Sequence, residues 1–375
     1  MGSGRDPWVY NFSKDALMQN VQKCIDTYNA DLKRFNERYR EAFKQRTKGV
    51  KSGDLYKHLN DKEITTDKTK IAWTVGLKNK LIKNKNLPES HKDRIRLSLY
   101  RPFNKQWLYW DKDWIHKREL PKIFPNKAFT QNVVINTGVG NGKDFSALVS
   151  DFISDYDLIS HNQAYPLYYY DDWGNRHYAI SGYALNLFRK HYEDYSIAEE
   201  EIFYYIYAVF HHKGYLEKYK NSLAKEEPRI ALSPDFKELS ALGKELAELH
   251  LNYEKGEMHA SVEYKTLMNA EEKGYYDVEK MTKEMKKGEC RIKYNKNIAI
   301  TKIPQKAFDY VINGKSTIDW VIECYKKTRD KDSLIENNPN DYKDGKYIFE
   351  LLCRVITLSV KSVDLIEKIS IKRFE

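Results

Sequence analysis

The chain has 375 residues, enough for two or three domains that each bury a core. Apolar residues make up 41%, mean hydropathy is −0.75, and no apolar run reaches the ~18 residues of a helical membrane span, so no such span is expected. The net charge of +10 is uneven: residues 1–150 hold 30 Lys and Arg against 16 Asp and Glu, a net of +14, and residues 151–375 hold 34 against 38, a net of −4. A basic front half is what a polyanion binder presents, because each phosphate it neutralises releases counterions.

Met1-Gly2-Ser3-Gly4 reads as an expression scar, on which reading the chain would be a piece of something longer. Ser13 has the character of an N-cap, with Asp15 in the first turn. Val21, Ile25, Tyr28, Leu32, Phe35 and Tyr39 then recur at helical spacing, which predicts one long helix to about residue 46 with a single apolar seam. Residues 47–70 are polar and read as a loop. From 69 to 190 short strand-like runs are expected at Lys70–Thr74, Ile95–Arg101, Gln106–Trp110, Asn132–Thr137 and Gln163–Tyr170, with a lysine-rich helix at Val75–Lys85. Helices follow at Glu199–His211, from Pro234 with Phe236, Leu239, Leu242, Leu246 and Leu249 on one face, at Ser316–Lys327 and at Tyr347–Ile369. A hairpin is expected at Cys290–Lys302, turning at Asn295-Lys296-Asn297. The predicted fold class is α+β: a long N-terminal helix (5–50), a mixed β-rich domain (51–190), then a mostly helical part with a small hairpin (191–375).

Motifs for chemistry are poor. Cys24, Cys290, Cys324 and Cys353 stand apart, with no CxxC pair, and read as isolated buried thiols. Thr137-Gly138-Val139-Gly140-Asn141-Gly142-Lys143-Asp144 looks like a phosphate loop, but a Walker A would carry Gly and Ser or Thr where Thr137 and Asp144 stand. Such a loop could still offer backbone N–H groups to a DNA phosphate. Asp277 with Glu284-Met285-Lys286 mimics a nuclease pattern, yet the region reads as a charged, solvent-facing helix. His211-His212 ends a helix, where a charged imidazole would suit the dipole. Asp171-Asp172 beside Trp173-Gly174 reads as a turn. The 29 tyrosines suit interfaces, base contacts and core packing alike.

Several stretches, in consistent order, resemble the C-terminal region of Type ISP restriction-modification enzymes. They are Arg5-Asp6-Pro7-Trp8-Val9-Tyr10-Asn11-Phe12; Trp73-Thr74 with Leu77-Lys78 and Leu81; Tyr100-Arg101-Pro102-Phe103-Asn104-Lys105 with Trp107-Leu108-Tyr109; Pro166-Leu167-Tyr168-Tyr169-Tyr170; Ile202 to Val209; Gly314-Lys315-Ser316 with Asp319-Trp320-Val321; and Asn338-Pro339-Asn340-Asp341. The resemblance implies a bacterial, cytoplasmic parent that carries a nuclease, an ATP-driven motor, an adenine methyltransferase and a target-recognition domain. The parent would use S-adenosylmethionine, ATP and magnesium, and this chain would need no cofactor of its own. The Asn/Asp-Pro-Pro-Tyr/Phe loop that holds a flipped base for amino-methylation is missing from the sequence, and Asn338-Pro339-Asn340-Asp341 reads as a capped turn. The expected function is therefore recognition, without catalysis.

The expected partners are double-stranded DNA and the methyltransferase core of the same parent. Lys68, Lys70, Lys78, Lys80, Lys83 and Lys85 suit phosphates. Arg94, Arg96, Arg101 and Lys105 surround a strand pair, with Asn104 in its turn, and suit directional contacts. Gln131, Asn132, Asn141, Asn162 and Gln163 are the amide candidates for adenine, and Lys143 a further cation. Trp107, Tyr109 and Trp110 read as packing residues. Two other readings stay open: a scaffold fragment without DNA binding of its own, and a single-strand binder acting through its tyrosines.

Overall fold

A computed structural model describes residues 3–115, 122–125, 132–138, 144–265, 272–286 and 289–373. The fold is α+β, with several small sheets set among helices. The Ser13 hydroxyl accepts from the Ala16 N–H and starts α1, Lys14–Arg34. Its seam of Val21, Ile25, Tyr28, Leu32 and Phe35 is buried. A π-helical turn, Phe35–Tyr39, then leads into Arg40–Arg46. The extra residue in that turn shifts the phase, so Phe43 continues the core in place of Tyr39, edge-on to Phe35 at 5.4 Å.

The predicted strand at Lys70–Thr74 is irregular backbone. Asp67 turns the chain by accepting from Thr69, Ile71 buries itself, and Trp73 donates its indole N–H to the Thr65 carbonyl, so no edge is left for a ladder. Thr74 caps α2, Val75–Ile82, which buries Leu77 and Leu81 against α1. Arg40 donates to the carbonyls of Leu81 and Ile82 at the end of α2, and Asn84 follows with φ +56°, a left-handed stop that Asn tolerates.

One four-stranded sheet orders β1 (Tyr10–Asn11), β3 (Asn104–Tyr109), β2 (Ile95–Arg101) and the strand Ile153–Ser154. The first two pairings are antiparallel and the last is parallel. A second sheet centres on Val134–Thr137, between Ala147–Ser150 and Gln163–Pro166. Beside it, Gly138 must be glycine, because an added Cβ would lie 2.1 Å from the Ile159 carbonyl oxygen. Asp171 organises the tip of the hairpin Tyr168–Tyr170/Arg176–Tyr178 by accepting from the Trp173 and Asn175 N–H groups.

Two helices, α3 (Glu199–Val209) and α4 (Phe236–Leu251), pack so closely that a Cβ on Gly243 would sit 2.0 Å from the Tyr204 carbonyl oxygen. The residues His211-His212, expected as a charged cap, are buried. Burial pulls His211 down to about 4 and lowers His212 too, so both are neutral near pH 7. His212 instead caps the next helix, its Nδ1 accepting from the Tyr215 N–H.

The stretch around Glu284, expected as a helix, is a strand. Thr282–Lys286 pairs with Glu289–Lys293, which pairs with Ile298–Ile300. The run has no helical stripe, whereas its neighbour supplies a full antiparallel ladder. Glu284 is exposed there, and among the described residues no group of three or more His, Cys, Asp or Glu could hold a metal ion. The C-terminal helix α5, Tyr347–Ser370, buries a broad face. Its core takes in Phe12, Leu99, Phe103 and Leu148 together with Tyr253, Tyr294, Ile318 and Ile356, so front and back of the chain share one interior. Among the described residues no helix is long and apolar enough to cross a membrane.

Candidate nucleic-acid interface

The turn between β2 and β3 carries the most distinctive sequence in the chain, Arg101-Pro102-Phe103-Asn104, with Arg101 and Asn104 as cross-strand partners. Proline at the second position presets φ, and Phe103 at the third has φ +58°, the sign a type II turn requires there. Glycine or asparagine is usual at that place. Phe103 is held by burial: its ring meets Tyr253 edge-on at 5.1 Å. The turn thus fixes Arg101 and Asn104 on either side of a rigid corner.

Both residues line a cleft of about 510 Å³. Its walls are the N-terminal segment at Asp6–Phe12, the β2–β3 corner, the end of the helix Thr317–Cys324, and the hairpin Thr328–Arg329/Glu336–Asn337. Arg101 lies over the Tyr100 ring at 4.0 Å and donates to Asp155 at 2.8 Å. Asp155 also accepts from the Tyr10 hydroxyl at 3.1 Å. Burial pushes the Asp155 carboxyl above its ordinary value, and the Arg101 guanidinium opposes that rise.

A ladder of side-chain amides forms one flank. The Phe12 N–H donates to Asn337 Oδ1 (2.9 Å), Asn337 Nδ2 to Gln106 Oε1 (3.0 Å), and Gln106 Nε2 to Asn104 Oδ1 (3.1 Å). Asn104 Nδ2 is buried and has no partner among the described residues. Lys326, Arg329 and Lys331 are exposed around the cleft and form no ion pair with a described carboxylate.

The residues singled out from sequence fall into two sets. Arg101, Lys105, Asn132 and Asn162 are engaged inside the fold. The Lys105 ammonium, pulled below its ordinary value by burial against the opposing pull of Glu254, donates to Glu254 at 3.0 Å. Asn132 Nδ2 donates to the carbonyls of Ile123 and Tyr168 while its Oδ1 accepts from Val133 and Tyr168, clamping two segments. Asn162 donates to Asn136 at 3.0 Å. Lys80 pairs with Asp113 at 2.6 Å, and Arg94 pairs with the buried Asp111. Lys68 reaches Asp332 at 3.0 Å and Lys70 lies 3.8 Å from Asp67, both as exposed pairs. Lys78 is half-buried and Lys83 and Lys85 are exposed, and none has a carboxylate partner among the described residues. Among the described residues Arg96 donates to the backbone carbonyls of Asp93 and Ile95 and to no carboxylate. Gln163 is exposed at the start of its strand. Gln131, Asn141 and Lys143, and with them the centre of the glycine loop, lie outside the described residues.

A family model described as the Type ISP C-terminal specificity domain matches residues 1–351. The chain belongs to that family. No curated protein matches this specificity domain. Among solved structures it is similar to a nuclease-deletion mutant of the Type ISP restriction-modification enzyme LlaGI, in complex with a DNA substrate mimic. That match has 32% identity and TM-score 0.81, and covers 100% of this chain and 32% of that one. It is also similar to the ATP-dependent Type ISP enzyme LlaBIII bound to DNA (32% identity, TM-score 0.83, 100% of this chain and 23% of that one). A third similar structure is the DrdV–DNA complex (29% identity, TM-score 0.81, 98% of this chain and 35% of that one). This specificity domain thus spans about a quarter to a third of those chains.

Sequence reasoning gave the specificity domain's back half no part in a site, because its summed charge is slightly acidic. The cations Lys326, Arg329 and Lys331 and the amides Gln106 and Asn337 went unnoticed. The signal was local: Lys326-Lys327-Thr328-Arg329-Asp330-Lys331 is a basic run inside an acidic half.

Proposed function

We propose that this chain reads the sequence of double-stranded DNA for a bacterial, cytoplasmic restriction-modification enzyme. The observation that carries the reading is the match of the whole chain to the fold of enzymes solved with DNA, at 29–32% identity. Adenine methylation and motor-driven cleavage belong to other parts of the parent, which would supply the sites for S-adenosylmethionine, ATP and magnesium. The parent's methyltransferase core is the second partner. Lys78, Lys83 and Lys85, on and just after α2, are cations without a described carboxylate partner and take phosphates. Arg96 and Gln163 keep donors available for base edges. Gln131, Asn141 and Lys143 remain candidates on their residue types alone.

The test is enrichment from a library of random duplexes, followed by anisotropy titration of enriched and scrambled duplexes at several salt concentrations. One enriched sequence should emerge, with affinity falling steeply as salt rises. Removing Lys83 and Lys85 together should weaken both duplexes alike and flatten the salt slope, whereas Arg96→Ala should narrow the gap between them. No binding at low salt would reject autonomous DNA reading and favour a scaffold role within the parent.

A further inference from the structure

We propose that the cleft beside the β2–β3 corner is a binding site for a single unstacked nucleotide, its base on the amide flank and its phosphate among the rim cations. The proposal rests on the DNA-reading assignment and adds a ligand class to a separate place on the chain. Three observations carry it.

The first is the orientation of the amide ladder. The Phe12 N–H can only donate, so it fixes Asn337 with its oxygen toward Phe12. Asn337 must then donate to Gln106, and Gln106 to Asn104. The group left over is therefore the Nδ2 donor of Asn104, which is fully buried and has no partner among the described residues. A buried donor without an acceptor is costly, and a ligand that brings an acceptor recovers that cost. Every nucleobase carries ring-nitrogen or carbonyl acceptors on its edges.

The second is charge. The acids that line the cleft are already occupied. Asp6 accepts from the Ser3 and Tyr100 hydroxyls, Asp330 from the N–H groups of its own turn, and Glu323 is paired with Lys315. Asp6 and Asp330 keep their charge beside these neutral donors, but Lys326, Arg329 and Lys331 form no ion pair among the described residues, Arg329 donating through Nε to the Leu334 carbonyl at 3.4 Å, so the rim that carries these three cations is the part of the cleft that favours an anion. The third is size and surface. A volume of about 510 Å³ lies in the range of small-ligand sites. The half-buried Tyr100 and Trp320 add wall to the cleft, with the Arg101 guanidinium over the first ring at 4.0 Å and the Lys315 ammonium over the second at 4.6 Å, so a base packs against the guanidinium plane and the ring edges.

The nucleotide could come from a DNA strand or be free, and the experiment separates the two sources. Two labelled duplexes are compared on the full chain, identical except that one carries a single unpaired 2-aminopurine nucleotide and the other pairs it. Melting temperature is measured in parallel with and without excess deoxyadenosine monophosphate. The unpaired duplex should bind roughly tenfold tighter, with a change in 2-aminopurine emission on binding. The double variant Arg329→Ala/Lys331→Ala changes only exposed side chains and should lose that preference, as should Asn104→Leu, which removes the donor.

Free nucleotide that raises the melting temperature and erases the preference assigns the site to either source. A preference that survives excess free nucleotide assigns it to a strand-borne one. If neither duplex binds, the DNA-reading assignment fails, while a nucleotide-dependent melting shift that disappears in Arg329→Ala/Lys331→Ala still supports the cleft. No preference between the two duplexes, whether both bind equally or neither binds, together with no melting shift, would overturn the proposal.

Discussion

Acidification should destabilise this chain through His211 by an amount that the structure sets. The ring is buried, its Nδ1–H donates to the Tyr207 carbonyl at 2.8 Å, and His250 lies 6.0 Å away, centroid to centroid. Burial pulls His211 from 6.5 to about 4, with backbone carbonyls opposing. Between those two values the unfolded chain binds the proton and the folded chain does not. Stability is therefore fully present above pH ~6.5 and is lost as pH falls toward 4. At ~1.4 kcal/mol per pH unit the whole span is worth about 3 kcal/mol, of which about 2 kcal/mol is gone by pH ~5. His250 is buried between the Tyr207 hydroxyl and Ser362 and is also held down, first by burial and then by His211, so it adds a loss of the same sign. Urea unfolding at about pH 7 and about pH 5 measures the sum. His211→Gln removes the titrating group and keeps a donor for Tyr207, so comparing its pH dependence with that of the natural sequence isolates one histidine. An equal loss in both proteins would refute the reasoning.

Arg101→Ala should lower stability by about 3–5 kcal/mol, because it strands the buried Asp155 carboxylate, and adding Asp155→Asn should restore most of it. Denaturant titration of the natural protein, Arg101→Ala and the double variant checks this, and a double variant as unstable as Arg101→Ala would count against it. Gly243→Ala should cost on the order of 2–3 kcal/mol by forcing α3 and α4 apart at Tyr204, read as a fall in melting temperature. Burial pushes the thiols of Cys24 and Cys353 up to about 11 and about 12. At mildly alkaline pH both should resist a disulfide reagent in the folded chain and react once urea is added, and rapid native labelling of either would contradict the buried placement.

The sequence made the elements legible wherever one face had to be buried. The seam of α1, the strands around Tyr100–Asn104, the helix from Phe236 and the hairpin at Asn295–Asn297 all declare themselves by spacing and turn chemistry. Thr282–Lys286 was illegible because its form comes from the neighbouring strand and from nothing in its own pattern. The π-helical turn at Phe35–Tyr39 was hidden because one inserted residue alters phase without altering composition. Charge type identified a basic strip. It could not tell Lys105, which serves Glu254, from Lys83, which faces solvent, because that distinction is made by residues about 150 positions away. The cleft is beyond sequence reasoning for the same reason: Asn104, Gln106 and Asn337 meet only when the 328–337 hairpin closes on the sheet.

The interior shared by Phe12, Leu99, Phe103, Leu148 and the α5 face bears on how such a reader could change its preference. Exchanging residues 51–190 as a cassette between relatives would cut through a single core and mismatch both halves of it. Diversification is then confined to exposed side chains at the margins, such as Lys326, Lys331 and Gln163, which can be replaced without cutting into that interior. For anyone redesigning this chain, point changes on its rims are the practicable route, and block transplantation is a route to insoluble protein.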